Sequence, residues 1–256
     1  MQKSMVSLRN VNRGMAAILL LSSTLASHAA MLTAGSPPSS APTTFLDTKT
    51  GKIEGFMPDV AREVAKREKL DVDFSAVPFP TLIQSVISGK IDMIVAGMTP
   101  TPAREKFISY SQEVTAFGDG LIVRDDNKQK YTDWKDFKGQ TIGSPSGTDY
   151  AQKLINSGIA KEVKLYDSPA DMTRDLQLGR IAGGLSDYPI LKAQEKAGML
   201  KGLHVVEGYQ PMAVSPMAFG VKKGNDVLLA KINDALNAMK ADGTLATLKS
   251  KWNMPQ

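Results

Sequence analysis

An arginine and two threonines stand close together just after an apolar run, in residues 96–111, AGMTPTPAREKFISYS. The guanidinium of Arg104 can bind a carboxylate through two hydrogen bonds, and the hydroxyl of Thr99 adds a donor. Gly97 lets a ligand approach the backbone closely. Thr101, followed by proline, predicts the start of a short helix whose free N–H groups favour an anion. Together these residues therefore predict a carboxylate-binding site, whereas each one alone is better explained by a solvated surface position.

A second polar turn follows a predicted strand in residues 143–154, GSPSGTDYAQKL. Ser146, Thr148 or Asp149 could cap the helix that begins there, and the helix start would then offer backbone N–H groups to a ligand. Considered alone, this segment is explained better by an ordinary capped helix. The segment is not a phosphate-binding P-loop, because no Gly-Lys-Ser/Thr follows.

Two further side chains could meet the same ligand. Asp187 closes the run IAGGLS and could accept an ammonium group, or it could only cap the next helix. Phe79 stands between two prolines after a strand, where it could form a cleft wall or pack in the core. A fixed cation from one half of the chain and a fixed anion from the other are complementary to an amino-acid zwitterion.

Alternating short apolar runs and helical patterns must position these side chains, and they predict an α/β fold with largely parallel sheets. Ligands in such folds bind in a crevice at the carboxyl ends of strands. Strands are expected at 31–34, 70–77, 91–96, 119–123, 181–186 and 217–221, and helices at 58–69, 80–90, 148–158, 168–180 and from 187. Apolar residues with helical spacing predict one further helix that packs on the core: Leu229, Ile232, Leu236 and Met239.

The 256-residue chain is long enough for two lobes of roughly 100 residues each. Its first 29 residues have the pattern of a secretory signal peptide: basic residues, an apolar run from Met15 to Ala26, and small residues at a cleavage site near Ala29. The apolar run is shorter than the roughly 20 residues of a membrane span. No later segment is apolar enough to span, so the mature chain is expected to be soluble and periplasmic.

Composition excludes several functional classes. Removal of residues 1–29 leaves a formal charge of +2, which argues against a nucleic-acid partner. The chain has no cysteine, so disulfides, thiolate nucleophiles and a lipid-anchored cysteine are ruled out. His204 is the only histidine left after processing, which argues against a histidine-dependent triad or metal site, and no cofactor is expected.

The chain resembles the extracytoplasmic amino-acid-binding proteins of ABC importers, in their polar-amino-acid branch. The resemblance runs over nearly the whole mature chain and depends on the order and spacing of several segments. These are GFMPDVA (55–61), residues 82–111, DFKGQTIGSPSGTDY (136–150), LQLGRIAGGLSDYP (176–189) and residues 232–252.

The resemblance implies a two-lobed Venus-flytrap fold without catalysis. Lobe 1 would comprise residues 30–113 and 215–256, and lobe 2 residues 118–210, with hinges at 114–117 and 211–214. It also implies delivery of the ligand to an ABC permease in the inner membrane. A monomer is expected, although the sequence does not show whether an oligomer forms.

The resemblance further assigns roles to site residues. It implies that Arg104 pairs with the ligand carboxylate, that Asp187 holds the ammonium, and that Thr99 and Gly97 hydrogen-bond the ligand. Phe79 would contact the ligand side chain. Backbone donors for the carboxylate would come from the turn of Ser146, Thr148 and Asp149.

Departures from the family pattern concern the ligand side chain. Where many relatives carry an acid and then an aromatic after the first strand, this chain has Pro37 and Ser40. The common aspartate after the Gly-Arg of lobe 2 is Ala182, and Glu113-Val114 replaces a frequent Pro-Tyr. These changes argue against a standard arginine or lysine pocket and favour a small or neutral polar amino acid, or a related amine-bearing acid.

Two other functions fit the same fold. A dehydratase of cyclic acids would need a proton donor of raised pKa in the cleft, and Asp187 has no evident second carboxylate or histidine beside it in the sequence. A ligand-sensing receptor module would bind in the same way, but neither chain end resembles a tether or a signalling domain.

Overall fold

The computed structural model describes residues 31–255, so the predicted signal peptide lies outside the described residues. The fold is mixed α/β. The strands are β1 Met31–Ser36, β2 Ser39–Ser40, β3 Thr44–Asp47, β4 Lys52–Glu54, β5 Asp71–Ala76, β6 Met93–Met98, β7 Ile108–Tyr110, β8 Thr115–Arg124, β9 Thr141–Pro145, β10 Glu162–Tyr166, β11 Gly183–Asp187, β12 Leu203–Val205 and β13 Val214–Lys222. The α-helices are α1 Phe56–Arg67, α2 Leu82–Ile87, α3 Asp149–Ser157, α4 Pro169–Gln177, α5 Tyr188–Lys196, α6 Asp226–Ala241 and α7 Thr244–Lys251.

One curled sheet runs through both lobes in the order β10-β9-β11-β8-β13-β6-β1-β5. The flanks are parallel: β1 pairs with β5 and β6, and β9 pairs with β10 and β11. Strands β8 and β13 are antiparallel to their neighbours and join the two flanks. The predicted α/β fold with two lobes is confirmed, and its parallel flanks direct their carboxyl ends toward one crevice.

Apolar periodicity places the helices on the sheet of lobe 1. Helix α1 buries Phe56, Val60 and Val64 on one face, and they join a core that contains Phe219 of β13. From helix α6, Ile232, Leu236 and Met239 enter the same core, as their spacing predicts, and Leu229 packs at its edge. The carboxyl-terminal helices therefore complete lobe 1 rather than lobe 2.

Helix caps in lobe 2 follow the sequence closely. Ser168 accepts a hydrogen bond from the backbone N–H of Ala170 at the start of α4, with Pro169 in the first turn, as predicted. Helix α3 ends at Gly158, whose φ of 64° lies in the left-handed region. These local signals fix the start of α4 and the end of α3.

The prediction of a helix that starts at Thr101 is wrong. Residues 102–107 form turns, closed by hydrogen bonds from the N–H of Glu105 to the carbonyl of Thr101 and from the N–H of Ile108 to that of Arg104. Strand β7 begins at Ile108, so the segment is too short to repay the cost of helix nucleation. The Thr101 hydroxyl still accepts from the Arg104 N–H at 3.3 Å, as a cap would, but no helix dipole is present.

The chain crosses between the flanks of the sheet in extended strands. Residues Thr115 to Gly118 of β8 pair with Met217 to Val214 of β13, and both strands continue into the sheet on either side. The predicted hinges at 114–117 and 211–214 overlap this paired crossing, and the exact lobe boundaries stay a prediction. Within residues 31–255, none of the helices has the length and apolar character needed to cross a bilayer.

Candidate functional site

A cavity of about 380 Å³ lies between the two lobes, and residues from both lobes line it. Its wall includes all nine side chains or backbone positions proposed from the sequence: Ser40, Phe79, Gly97, Thr99, Arg104, Ser146, Thr148, Asp149 and Asp187. Parallel strands of both flanks end here, which is where α/β folds bind ligands.

Arg104 is held in place by two backbone carbonyl groups, one from each lobe. Its Nη1 donates to the carbonyl of Thr99 at 2.6 Å, and its Nη2 donates to the carbonyl of Gly147 at 2.8 Å. The guanidinium also lies 5.8 Å from the centroid of the Phe79 ring. These contacts fix the fork of the side chain at the cavity wall, where it can meet a carboxylate.

Gly97 and Thr99 have packing roles in addition to the cavity position. A Cβ at Gly97 would lie 3.1 Å from the Phe117 ring and 3.4 Å from the Thr43 methyl, so the backbone approaches its neighbours closely there. The Thr99 hydroxyl lies 3.6 Å from the sulfur of Met217. Both residues place the end of β6 against strands β8 and β13.

Phe79 lines the cavity and packs at the edge of the apolar cluster of α2 and β6, so the wall and core interpretations both describe it. Ser40 stands in the short strand β2, where Thr44 is its pairing partner. Pro37 also lines the cavity, whereas the other departures, Ala182, Glu113 and Val114, are not among the residues that line it.

The turn from Ser146 to Asp149 is more constrained than the sequence suggests. The Ser146 N–H donates to the carbonyl of Tyr166 at 2.8 Å, so this donor is already used. Thr148 caps α3 by accepting from the Ala151 N–H, and its hydroxyl donates to the carbonyl of Pro145. The carboxylate of Asp149 pairs with Lys153 at 2.6 Å.

Asp187 ends β11 and faces the cavity without a cationic partner among residues 31–255. It occupies the N-cap position of α5, but its side chain makes no capping hydrogen bond, so the capping alternative is wrong. Burial raises the pKa of Asp187 to about 7, a hydrogen bond with the Tyr150 phenol opposes this, and the charge of Asp119 adds to it. A ligand ammonium would supply the missing positive charge.

Asp119 is a carboxylate that the sequence reasoning missed beside Asp187. The two residues are opposite each other in the antiparallel pairing of β8 and β11, and Asp119 is only 3% exposed. The expectation that no second carboxylate accompanies Asp187 is therefore wrong. An acid between two glycines inside an apolar strand, FGDGLIV, was the signal that could have revealed it.

Other missed residues complete the wall. Tyr150 and Tyr166 contribute aromatic rings, Ile190 and Met217 contribute apolar surface, and Asp167 contributes an exposed carboxylate. Within the described chain, no salt bridge engages Asp167. Six prolines also line the cavity and stiffen its loops: Pro37, Pro38, Pro78, Pro80, Pro145 and Pro169.

A two-lobed α/β fold with a ligand-sized cavity between its lobes is the architecture of extracellular solute-binding proteins. The chain belongs to the bacterial extracellular solute-binding proteins, family 3, whose family model matches residues 32–255. The resemblance to the amino-acid-binding proteins of ABC importers is thereby confirmed.

Similar proteins include a binding protein of a transporter and two solved structures. The chain is 29% identical over 202 residues to the ABC transporter arginine-binding protein 1 of Escherichia coli (strain K12), which covers 78% of this chain and 82% of the relative. An ancestral arginine-binding protein bound to arginine superposes with a TM-score of 0.80 at 31% identity, covering 87% of this chain and 97% of that one. An ancestral amino-acid-binding protein, AncCDT-1, titled a precursor of cyclohexadienyl dehydratase, gives a TM-score of 0.78 at 26% identity, with 87% and 95% covered.

Proposed function

We propose that the protein binds an amino acid in the periplasm, as a monomer, and delivers it to an ABC permease in the inner membrane. The observation that carries this proposal is the meeting of Arg104 from one lobe and Asp187 from the other in one cavity. A carboxylate bound to the guanidinium and an ammonium bound to the aspartate would satisfy both charges. Removal of either protein side chain would leave one buried charge of the ligand unpaired, which costs about 3–5 kcal/mol.

Closure of the lobes is the signal that a permease would read. A zwitterion that contacts both lobes stabilises the closed state only through contacts that the open state lacks. Arg104 already donates to the carbonyl of Gly147 in lobe 2 at 2.8 Å. A bound carboxylate would share the guanidinium with this carbonyl, which supports a ligand position at the contact between the lobes.

Asp167 offers a place for the ligand side chain. It follows the paired residues Tyr166 and Pro145 of β10 and β9 by one position, whereas Asp187 follows the paired residues Gly184 and Gly143 of β11 and β9 by three. Both acids therefore stand level with Ser146, on either side of β9. Two strand spacings separate them by about 10 Å, a distance that a diamino acid can span with a hydrogen bond at each end.

This position changes the expectation for specificity. Loss of an acid at Pro37 argued for a neutral side chain, but Asp167 supplies a carboxylate from the other lobe. We therefore include basic amino acids in the proposed ligand class. The carboxylate of Asp167 would attract the side-chain cation, although water screens an exposed charge of this kind.

A thermal-shift panel of the L-amino acids on ligand-stripped protein tests the proposal. A ligand at 100 times its dissociation constant adds about 2.7 kcal/mol to the free energy of unfolding. Arginine and citrulline form a matched pair, since they differ mainly in side-chain charge, and we expect arginine to give the larger shift. Absence of any shift across the panel would contradict the proposed function.

A second candidate function is a cleft enzyme that eliminates water from a cyclic acid. The specific observation in its favour is Asp187, whose pKa burial raises to about 7, so it holds a proton that it could donate near neutral pH. The likeness to AncCDT-1 concerns the fold and is consistent with either function. Mass spectrometry of cyclic carboxylic acids incubated with the protein distinguishes the two, because a binding protein returns every acid unchanged.

A further inference from the structure

A buried carboxylate lies beside the aspartate that is proposed to hold the ligand ammonium. Asp119 is opposite Asp187 in the pairing of β8 and β11, and Asp119 is 3% exposed. Residues directly opposite in an antiparallel pair have Cβ atoms about 4.5–5.5 Å apart, and like charges there destabilise the sheet.

Two hydrogen bonds keep Asp119 in position. The N–H of Met212 donates to its Oδ1 at 2.9 Å, and the hydroxyl of Tyr209 donates to its Oδ2 at 3.1 Å. Both donors belong to the segment that leads into β13, the second strand that crosses between the lobes. Asp119 therefore connects β8 to the segment that precedes β13.

The charged and titratable groups around this pair come from three elements and one loop. Helix α3 contributes Tyr150, which hydrogen-bonds Asp187, and Lys153, which is already paired with Asp149 at 2.6 Å. The segment before β13 contributes Tyr209, and strands β8 and β11 contribute the two aspartates. Burial raises the pKa of Asp119, and its two donors and Lys153 oppose that rise.

A pocket of about 20 Å³ opens between the two carboxylates and the hinge strands. Asp119 and Asp187 both line it, together with Thr99 at the end of β6 in lobe 1. Asp187 also lines the large cavity, so the small pocket and the cavity share this carboxylate.

We infer that Asp119 is a positioning residue, whose negative charge acts through Asp187 on the ligand ammonium and makes the affinity depend on pH. This inference rests on the proposed function. With both carboxylates ionised, a cation gains attraction from two charges. Without the cation, each charge opposes ionisation of the other, so ligand binding is coupled to release of a proton.

The test is the substitution Asp119→Asn, with binding measured by calorimetry between pH 5.5 and 8.5. Asparagine keeps an oxygen that can accept from the Met212 N–H while it removes the charge. The titrant is the L-amino acid that gives the largest thermal shift with the wild-type protein. We expect affinity at pH 8.5 to fall about tenfold and the pH midpoint of binding to move about one unit lower, because a charge several ångströms away no longer acts on Asp187.

Asp125→Asn is the matched control. It removes one negative charge from the same lobe just beyond the end of β8, where Asp125 is exposed and contacts His204. This control should leave both the affinity and the pH midpoint unchanged. A purely structural role of Asp119 would weaken binding equally at every pH, and an unmoved midpoint would therefore overturn the inference.

Two further results separate the inference from the proposed function. If no L-amino acid binds the wild-type protein at any pH, the proposed function fails and the inference falls with it. If Asp119→Asn does not fold, carbon NMR of the aspartate carboxyls in ligand-free wild-type protein replaces it. Coupled titration of Asp119 and Asp187 would support the inference, and independent single-step titrations would overturn it.

Discussion

The two charged ends of the cavity differ in how the protein prepares them. Arg104 has a backbone carbonyl partner in each lobe, so hydrogen bonds of the protein itself orient its guanidinium. Among residues 31–255 no salt bridge engages Asp187, which faces a second carboxylate, so its charge depends on pH and on the ligand. The comparison teaches that one end of a zwitterion site can supply geometry while the other supplies the response to ligand and proton.

The largest expected effect comes from removal of the Arg104 guanidinium. Arg104→Ala should weaken binding of the amino acid by a factor of about 100–1,000, because a carboxylate would lose its charged partner. Calorimetry at pH 8 measures this loss. Lys106→Ala, at an exposed position of the same turn, should bind normally, and undiminished affinity in Arg104→Ala would remove the carboxylate assignment.

Substitution at the other end should separate binding from stability. Asp187→Asn should weaken binding about 100-fold, since the ammonium loses its carboxylate. The same change should raise the melting temperature of the ligand-free protein at pH 8, because burial opposes the charged form there.

The sign of this stability effect follows from the pKa values. The pKa of Asp187 is about 7 in the folded protein and 3.8 ordinarily, so its ionisation lowers stability progressively as pH rises from about 4 to 7. Melting curves of Asp187→Asn and wild type should therefore diverge across this range and coincide below it. If Asp187→Asn melted at a lower temperature than wild type at pH 8, the raised pKa of Asp187 would be contradicted.

Wild-type affinity should follow the protonation of the coupled Asp187 and Asp119 carboxyls, because Asp119 acts on the ligand through Asp187. Below pH 7 the Asp187 carboxyl carries a proton, so affinity should fall, and the slope approaches tenfold per pH unit well below 7. An arginine side chain keeps its charge across the range and adds no such slope. Calorimetry at pH 6 in buffers of different ionisation enthalpy should report release of nearly one proton per ligand, and a flat profile from pH 6 to 8 would refute the coupling.

The smallest expected effect concerns the contact that joins the two lobes. Gly147 has a φ of 77°, and a Cβ there would lie 3.4 Å from Pro80 of lobe 1. Gly147→Ala should cost about 1 kcal/mol of stability through backbone strain. It should also weaken binding several-fold, because the lobes meet at this position.

Gly158→Ala is its matched control, measured by thermal melting and calorimetry. Gly158 has a similar φ of 64° but open space around its Cα. We therefore expect a similar loss of stability without any change in affinity. Equal affinities in both variants would show that the turn at Gly147 does not contribute to closure.

Much of the fold could be predicted from local signals. Apolar runs gave the strands that end at the cavity, and Ser168 and Gly158 marked helix ends where the structure has them. Thr101 misled the prediction, since its capping chemistry is real but the following strand leaves no room for a helix. Local capping signals therefore predicted helix ends correctly only where the distance to the next strand left room for a helix.

The candidate site was predictable in its members and less so in their contacts. All nine proposed residues line one cavity, yet the Ser146 N–H and the Asp149 carboxylate already have protein partners. Asp119 could not be placed beside Asp187 from the sequence, because 67 positions separate them along the chain. Pairing of β8 with β11 brings them together.

The sequence by itself determined the kinds of chemistry present: a guanidinium after one strand, an aspartate after another, and the apolar spacing that makes each strand and helix. Only the tertiary structure decided which groups share a cavity and which already have partners. The physical reason is that side-chain type and hydrophobic period are local properties. Hydrogen bonds, burial and the pKa of Asp187 depend on strand pairing and on contacts between lobes that lie far apart in the chain.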